Sequence, residues 1–209
     1  MSSDLGDRSS EIARLGVLMV LSGPAGSGKS TILSSAVERD PGVRFSVSCT
    51  TRPPREGETD GVHYHFLSEE NFAAKVEAGA FLEHAGVHKW RYGTLREAVV
   101  VLLEQGVDVV MDIDVQGAEQ IRACDDPVIE RARVDVFVMP PDVEELERRL
   151  RERGSENEET FQLRMKTAIA EIEHWPKYTY RILSGERDAD YAAFAGILAA
   201  ERLKVARLK

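Results

Sequence analysis

The chain predicts an α/β fold: a parallel sheet flanked by helices, with a lobe inserted into it and a helical lid. Three observations carry this expectation. Short apolar runs alternate along the chain with helical patterns, which is the rhythm of a doubly wound parallel sheet. The first apolar run breaks into a glycine-rich loop that ends in a lysine and hydroxyls, "SGPAGSGKST". Between residues 48 and 94 the rhythm gives way to turn formers, "TTRPPREGETDGVHYHF", and this marks the insert.

Taken in order, residues 15–21, "LGVLMVL", read as a buried strand, and residues 29–38 as the helix that follows it. Between them, Gly23 to Ser30 fit the pattern G-x-x-x-x-G-K-S/T, the phosphate loop of P-loop NTPase-like sheets. Glycines allow positive φ and carry no Cβ, so several backbone N–H groups can converge on one anion. The cradle is then Gly23, Ala25, Gly26, Ser27 and Gly28, with Lys29 reaching the β/γ-phosphates. Ser30 offers a hydroxyl to Mg²⁺, Thr31 follows it, and the new helix points its positive end at the phosphates. The competing reading is a plain glycine-rich turn; the strand–loop–helix setting favours phosphate.

Further along, "VRFSVSC" (43–49), "VDVVMDIDV" (107–115), "VDVFVMP" (134–140) and the short "YRIL" (180–183) read as strands. Thr94 and Glu97 have capping-box spacing ahead of "AVVVLLEQG", and Asp142 with Glu145 can cap "VEELERRLRERG". Inside the insert stand a short helix over 68–77 and the strand-like "AFLEHAGV". A last helix pair spans 159–174 and 189–208. The charged run 147–159 has two readings, a solvated helix face or a hinged flap edged with arginines, which phosphoryl transfer needs in order to exclude water.

The hydrophobic content of 43% in 209 residues suits a single cooperative unit. We divide it into a mobile tail (1–14) and a domain (15–209). The domain has a core of 15–47, 95–145 and 165–209, a lobe of 48–94 and a lid of about 146–164. A net charge of −9 and a pI near 5.2 argue against a nucleic-acid surface. The two cysteines, Cys49 and Cys124, indicate neither a disulfide framework nor a zinc site and suit a reducing cytosol. The first fourteen residues carry acidic charge and no apolar core, which speaks against a signal peptide or membrane span and for a cytoplasmic location.

Together the phosphate loop, "FSVSCTTRPPREGE", "GVHYHF", "FLEHA", "YGT", "DIDVQG", "PPDVEELERRL" and "RGSENEE" resemble one family, the guanylate kinases, from about residue 16 to the last helix. The resemblance implies transfer of the γ-phosphate of ATP, with Mg²⁺, to GMP or dGMP, and a lobe that binds GMP. It further implies that Arg52 and Arg55 fork onto the acceptor phosphate, with phenolic donors from Tyr64 and Tyr92; as plain residues, both tyrosines could equally be small-core aromatics. Glu83 would accept from guanine N1–H and the 2-amino group, with hydroxyls from Ser48 and Thr94 completing the base site. Thr94 could also act as a helix cap.

Asp112 and Asp114, on one face of a strand end, would organise Mg²⁺ with Lys29 and face GMP respectively, unless they are strand-end caps. Lid arginines Arg149, Arg153 and Arg164 would clamp phosphates, whereas Arg148 and Arg151 match no family position. Ser184 stands where relatives commonly carry an asparagine beside adenine. The expected partners are GMP or dGMP and ATP, the expected assembly a monomer or homodimer. Two alternatives remain, a non-catalytic phosphopeptide-binding module of the same family and a kinase for another small phosphorylated acceptor; Lys29, Ser30 and the arginines speak against the first, Glu83 with Ser48 and Thr94 against the second.

Overall fold

The computed structural model describes residues 13–87, 89–153 and 157–208. Among these, five parallel strands form one sheet, β1 (Leu18–Ser22), β2 (Val43–Phe45), β7 (Asp108–Asp112), β8 (Arg133–Met139) and β9 (Tyr180–Leu183), in the order β2-β7-β1-β8-β9. β1 lies at the centre, and all five of its residues are buried. Its alternation divides the core in two. Met19 and Leu21 pack with α1 (Lys29–Arg39) and α8 (Arg187–Arg202) through Ile32, Leu33, Phe194 and Leu198. Leu18 and Val20 face α3 (Arg96–Glu104), α4 (Val115–Arg122) and α5 (Pro127–Ala132) through Leu103, Ile121 and Ile129. Such strands, buried on both faces, read as continuous apolar runs, and this made them legible.

A second sheet holds β3 (Cys49–Thr50), β4 (His65–Phe66), β5 (Phe81–Val87) and β6 (Trp90–Leu95), in the order β4-β3-β6-β5. Helix α2 (Glu69–Glu77) covers it, with Phe72 fully buried and stacked on Phe81 at 4.5 Å. Beyond β8, α6 (Val143–Arg153) and α7 (Glu158–Ile172) enclose a small core of their own, Leu146, Leu150, Phe161, Met165 and Ala168. The fold is the parallel α/β architecture that the sequence predicts.

Several boundaries differ. The run 43–49 is split between the two sheets. Ser46 N still bonds Val110 O, at 3.2 Å, before the chain crosses to β3. Thr94 does not cap α3. The cap position belongs to Leu95, with no side-chain bond, because the Thr94 hydroxyl is taken by Glu83. Asp142 does bond Glu145 N, at 2.7 Å. The strand predicted over 107–115 ends at Asp112, since Asp114 starts α4. The last helix stops at Arg202 instead of running to 208. From there the chain bends through a 3-10 turn (Val205–Arg207) to bridge Leu208 to Arg14.

That bend accompanies a buried charge. Asp108, fully buried, receives both Arg14 Nη atoms at 2.6 and 2.9 Å, Val17 N at 2.8 Å and Arg202 Nε at 2.7 Å. One carboxylate thus ties the chain's entry strand and its last helix to β7. Removing it leaves two guanidinium groups facing each other. Both stay partly exposed, which moderates the cost, so Asp108→Ala is expected to destabilise the fold by about 3 kcal/mol in urea unfolding. An unchanged midpoint would contradict the assignment.

Candidate active site

β1 ends at Ser22 and the chain turns at once through Gly23, Gly26 and Gly28, with φ of 146°, 85° and 99°. A Cβ on Gly23 would lie 2.0 Å from the carbonyl oxygen of Val138 in β8. Only glycine permits that approach. Gly28 caps α1 in the left-handed region, and its carbonyl accepts from Thr31 N at 3.1 Å and Ile32 N at 3.2 Å. The predicted cradle is therefore contiguous: Ala25, Ser30 and Thr31 are exposed, while Gly26 lies beneath Leu146, Arg149 and Leu150 of α6. The Ser27 hydroxyl is buried without a hydrogen-bond partner among the described residues. Lys29 Nζ folds back over the loop, donating to Gly23 O at 2.6 Å and Pro24 O at 3.2 Å. It stands 3.9 Å from Asp112 Oδ1.

The loop lies at the carboxyl ends of the strands, where the order reverses: β1 is followed by β2 two places away, and β7 and β8 lie on either side of β1. Open α/β sheets bind ligands at such a switch point. Two clefts meet there. One of about 410 Å³ contains Lys29, Asp112, Asp114, Arg164 and Glu171. The other, about 330 Å³, contains Ser48, Tyr64, Thr94 and Asp112 and opens towards the second sheet.

In that sheet, pairing of β5 with β6 sets Glu83 opposite Thr94, just past a register shift between Phe81 and Glu83. Glu83 is only 8% exposed, and its Oε1 accepts the Thr94 hydroxyl at 2.7 Å. Ser48 Oγ lies 3.3 Å from Thr94 Oγ1. A Cβ on Gly117 would come to 3.4 Å from Glu83 Oε2. Burial pushes the Glu83 carboxyl above the ordinary range, the Thr94 bond works against that shift, and the charge of Asp114 adds to it.

Arg52, also 8% exposed, donates from Nη2 to Glu58 Oε1 at 2.8 Å and from Nη1 to Pro53 O at 2.9 Å. Its guanidinium carbon lies 5.5 Å from the Tyr64 ring centre, and the Tyr64 and Tyr92 rings meet edge to face at 6.0 Å. Arg55 is exposed. Its backbone N–H reaches the other oxygen of Glu58 at 2.7 Å. Glu58 therefore fixes the Arg52 side chain and the Arg55 backbone, and the Arg52 bond is the largest cause lowering its pKa to about 2. Sequence reasoning missed this residue, although the spacing Arg55-Glu-Gly-Glu58 in a turn offered a signal.

Asp112 keeps 39% of its side-chain surface accessible, yet the cleft walls desolvate it enough to raise its pKa against the pull of Lys29. Asp114 is a cap: its Oδ1 accepts Gly117 N at 2.8 Å and starts α4. Glu171 was also missed. It lies on α7 in the cleft with Arg164, its pKa raised by burial while the Lys29 charge opposes. Its i+7 spacing from Arg164 puts the two on one helix face.

Of the lid arginines, Arg149 gives Nε to Glu145 Oε1 at 2.6 Å and Nη1 to Ser184 Oγ at 2.7 Å and Gly26 O at 3.4 Å. Its Nη2 goes to Ser184 O at 3.3 Å. Arg148 and Arg151 are exposed and paired, Arg148 with Glu145 and Glu152, Arg151 with Glu147 and Glu158. The Arg153 side chain and residues 154–156, at the predicted hinge, lie outside the described residues.

The guanylate kinase family model matches residues 16–201. The guanylate kinase of Paramagnetospirillum magneticum is 47% identical over 196 residues, which are 92% of this chain and 88% of that protein. That of Sphingopyxis alaskensis is 49% identical over 191 residues, 91% of this chain and 85% of that one. The crystal structure of guanylate kinase from Anaplasma phagocytophilum superimposes with a TM-score of 0.72 at 31% identity, covering 94% of this chain and 92% of that chain. With the phosphate loop, the parallel sheet and the second sheet in place, the chain belongs to the guanylate kinase family.

Proposed function

We propose that this chain transfers the γ-phosphate of ATP to GMP and dGMP, giving GDP and dGDP, in purine nucleotide recycling. The observation that carries the reading is the Glu83–Thr94–Ser48 set, with Glu83 and Thr94 buried, joined to Lys29 through the clefts that share Asp112. An ionised Glu83 accepts from guanine N1–H and the 2-amino group. Adenine offers neither donor and leaves the buried carboxylate unpaired. Arg52, with Tyr64, Tyr92 and Arg55, takes the acceptor phosphate. The loop amides and Lys29 take the donor phosphates, and Arg149, Arg153 and Arg164 spread over the charge that develops in transfer. A phosphate oxygen of GMP is already anionic, so alignment and charge stabilisation, not a strong base, do the catalytic work.

The donor set suits Mg²⁺. Ser30 offers an exposed hydroxyl in the first turn of α1 and Asp112 a carboxylate beside Lys29, the hard oxygens that magnesium takes together with substrate phosphates. When bound, the ion neutralises charge on the β- and γ-phosphate oxygens. In the second role given to it, Asp114 faces GMP with the oxygen that its capping bond leaves over. Among the described residues no helix is long and apolar enough to cross a membrane. With both cysteines free, a cytoplasmic location fits.

ADP release from ATP and Mg²⁺ with GMP, dGMP, AMP, CMP and UMP supplied separately tests the reading. Turnover is expected only with the guanine acceptors, and Lys29→Ala is expected to lower it by about 10³-fold. GMP binding without turnover would return the chain to a non-catalytic binding module. Glu83→Gln is expected to lower kcat/KM for GMP by roughly 10³- to 10⁴-fold and to erase the preference over AMP; an unchanged preference would refute the base site. Glu83 must be ionised to accept both guanine donors, and its pKa lies above the usual glutamate range. The acid limb of kcat/KM for GMP should therefore fall at higher pH than an ordinary glutamate would set. Glu58→Gln is expected to raise KM for GMP about tenfold by loosening Arg52, with guanine selectivity kept; lost selectivity would mean that Glu58 serves the base site instead.

A further inference from the structure

Beside the base site lies a cavity that the proposed reaction does not use. It measures about 750 Å³, more than either cleft at the switch point. The chain passes from the first sheet to the second between Phe45 and Cys49 and leaves the second sheet between Leu95 and Arg96, and both passages border this cavity. The first turns of α3 and the end of α2 complete it. Phe45, Ser46, Val47 and Thr94 also line the cleft of Ser48 and Asp112, so the two spaces adjoin.

Most of the wall is apolar. Val47, Leu95 and Val99 stand beside Phe45 and Val101, which leave 42% and 45% of their surface open. Two cations belong to the same wall. Lys75 lies in the last turn of α2 and Arg96 begins α3. Ala80 joins them: its N–H donates to Lys75 O at 3.0 Å, and its carbonyl accepts from Arg96 N at 3.0 Å. Arg52, Arg149 and Arg202 each rest on a carboxylate. Lys75 and Arg96 do not. Among the described residues the Lys75 ammonium makes no hydrogen bond or ion pair, and the one bond of the Arg96 guanidinium is long, 3.4 Å to Gly79 O. Glu97, the only acid of this lining, is exposed and pairs with neither.

A space of this size, apolar with a few convergent polar groups, has the form of a small-molecule site. The wall selects the chemistry of the ligand. Apolar surface open to water takes an apolar body, and two cations without a carboxylate take an anionic head, the guanidinium through its fork. A neutral ligand would desolvate both cations without pairing them, and a cationic one would meet like charge. We propose that this cavity binds a small amphipathic anion, with a carboxylate or phosphate head at Lys75 and Arg96 and an alkyl body along Phe45, Val47 and Val101. The site is separate from the nucleotide clefts and does not depend on the kinase reading.

Calorimetric titration of the full chain with decanoate, below its micelle concentration, tests this. One molecule per chain is expected, with a Kd of about 100 µM. The shorter hexanoate should bind about a hundredfold more weakly. Decanol and decyltrimethylammonium should each bind at least about tenfold more weakly than decanoate; equal affinity for decanol would show that the cations play no part and would overturn the proposal. Decyl phosphate is the parallel arm. Whichever anion binds more tightly identifies the head, and failure of both to saturate at about 1 mM would overturn the proposal. Lys75→Glu combined with Arg96→Glu should abolish decanoate binding and admit decyltrimethylammonium, a reversal that unfolding does not give. Ala98→Trp, which fills the cavity from α3, should abolish decanoate binding as well. Binding that survives these variants would place the ligand elsewhere and overturn the proposal, as would full displacement of decanoate by GMP. Decanoate affinity that falls as the chain concentration rises would give the cavity to a second copy of the chain and would also overturn it.

Discussion

A Cβ at Gly23 would fall 2.0 Å from the carbonyl oxygen of Val138, and the rest of the site depends on the absence of that one atom. Because the loop can pass so close to β8, it turns tightly enough for Gly28 to start α1 directly. Because α1 starts there, Lys29 can reach back over the Gly23 and Pro24 carbonyls and come to 3.9 Å from Asp112 on β7. The central strand and both neighbours thus meet at one loop. The loop borders the space where the strand order reverses, and the second sheet opens onto that space through the cleft of Ser48, Tyr64 and Asp112.

The charges around this loop are held by protein groups. Arg52 rests on Glu58, Arg149 on Glu145 and Ser184, and Lys29 on two carbonyls beside Asp112. Each cation is held by these bonds before any ligand arrives, which limits the side-chain entropy that binding would cost. The acidic residues among the basic ones serve the same end. Glu58 and Glu145, both with pKa values lowered to about 2 by their arginine bonds, stay ionised at any pH the protein meets. Glu83 is different in kind. It is buried, its pKa is raised, and its partner is a hydroxyl, so a carboxylate with spare acceptor capacity is left for a ligand that carries donors.

Much of this was legible in the sequence because it is local. The phosphate loop, the buried runs of β1, β7 and β8, and the Asp142 cap each depend on a few consecutive residues. What escaped depends on contacts between distant ones. Thr94 has the spacing of a capping box with Glu97, but sheet pairing across β5 and β6 gives its hydroxyl to Glu83, and the tertiary bond prevails over the local one. The run 43–49 looks like one strand because both halves are apolar; the crossing between sheets at Ser46 leaves no mark in the pattern. Glu58 and Glu171 were given no role from the sequence. Only the fold reveals that one anchors Arg52 and that the other faces Lys29 across a cleft.

The central claim is that phosphate moves from one nucleotide to the other and not to water. Phosphorus-31 NMR of ATP, Mg²⁺ and GMP with the protein tests it most directly. The account predicts equimolar growth of the ADP and GDP β-phosphate signals with no inorganic phosphate. Inorganic phosphate in place of GDP, or an unchanged spectrum, would contradict it.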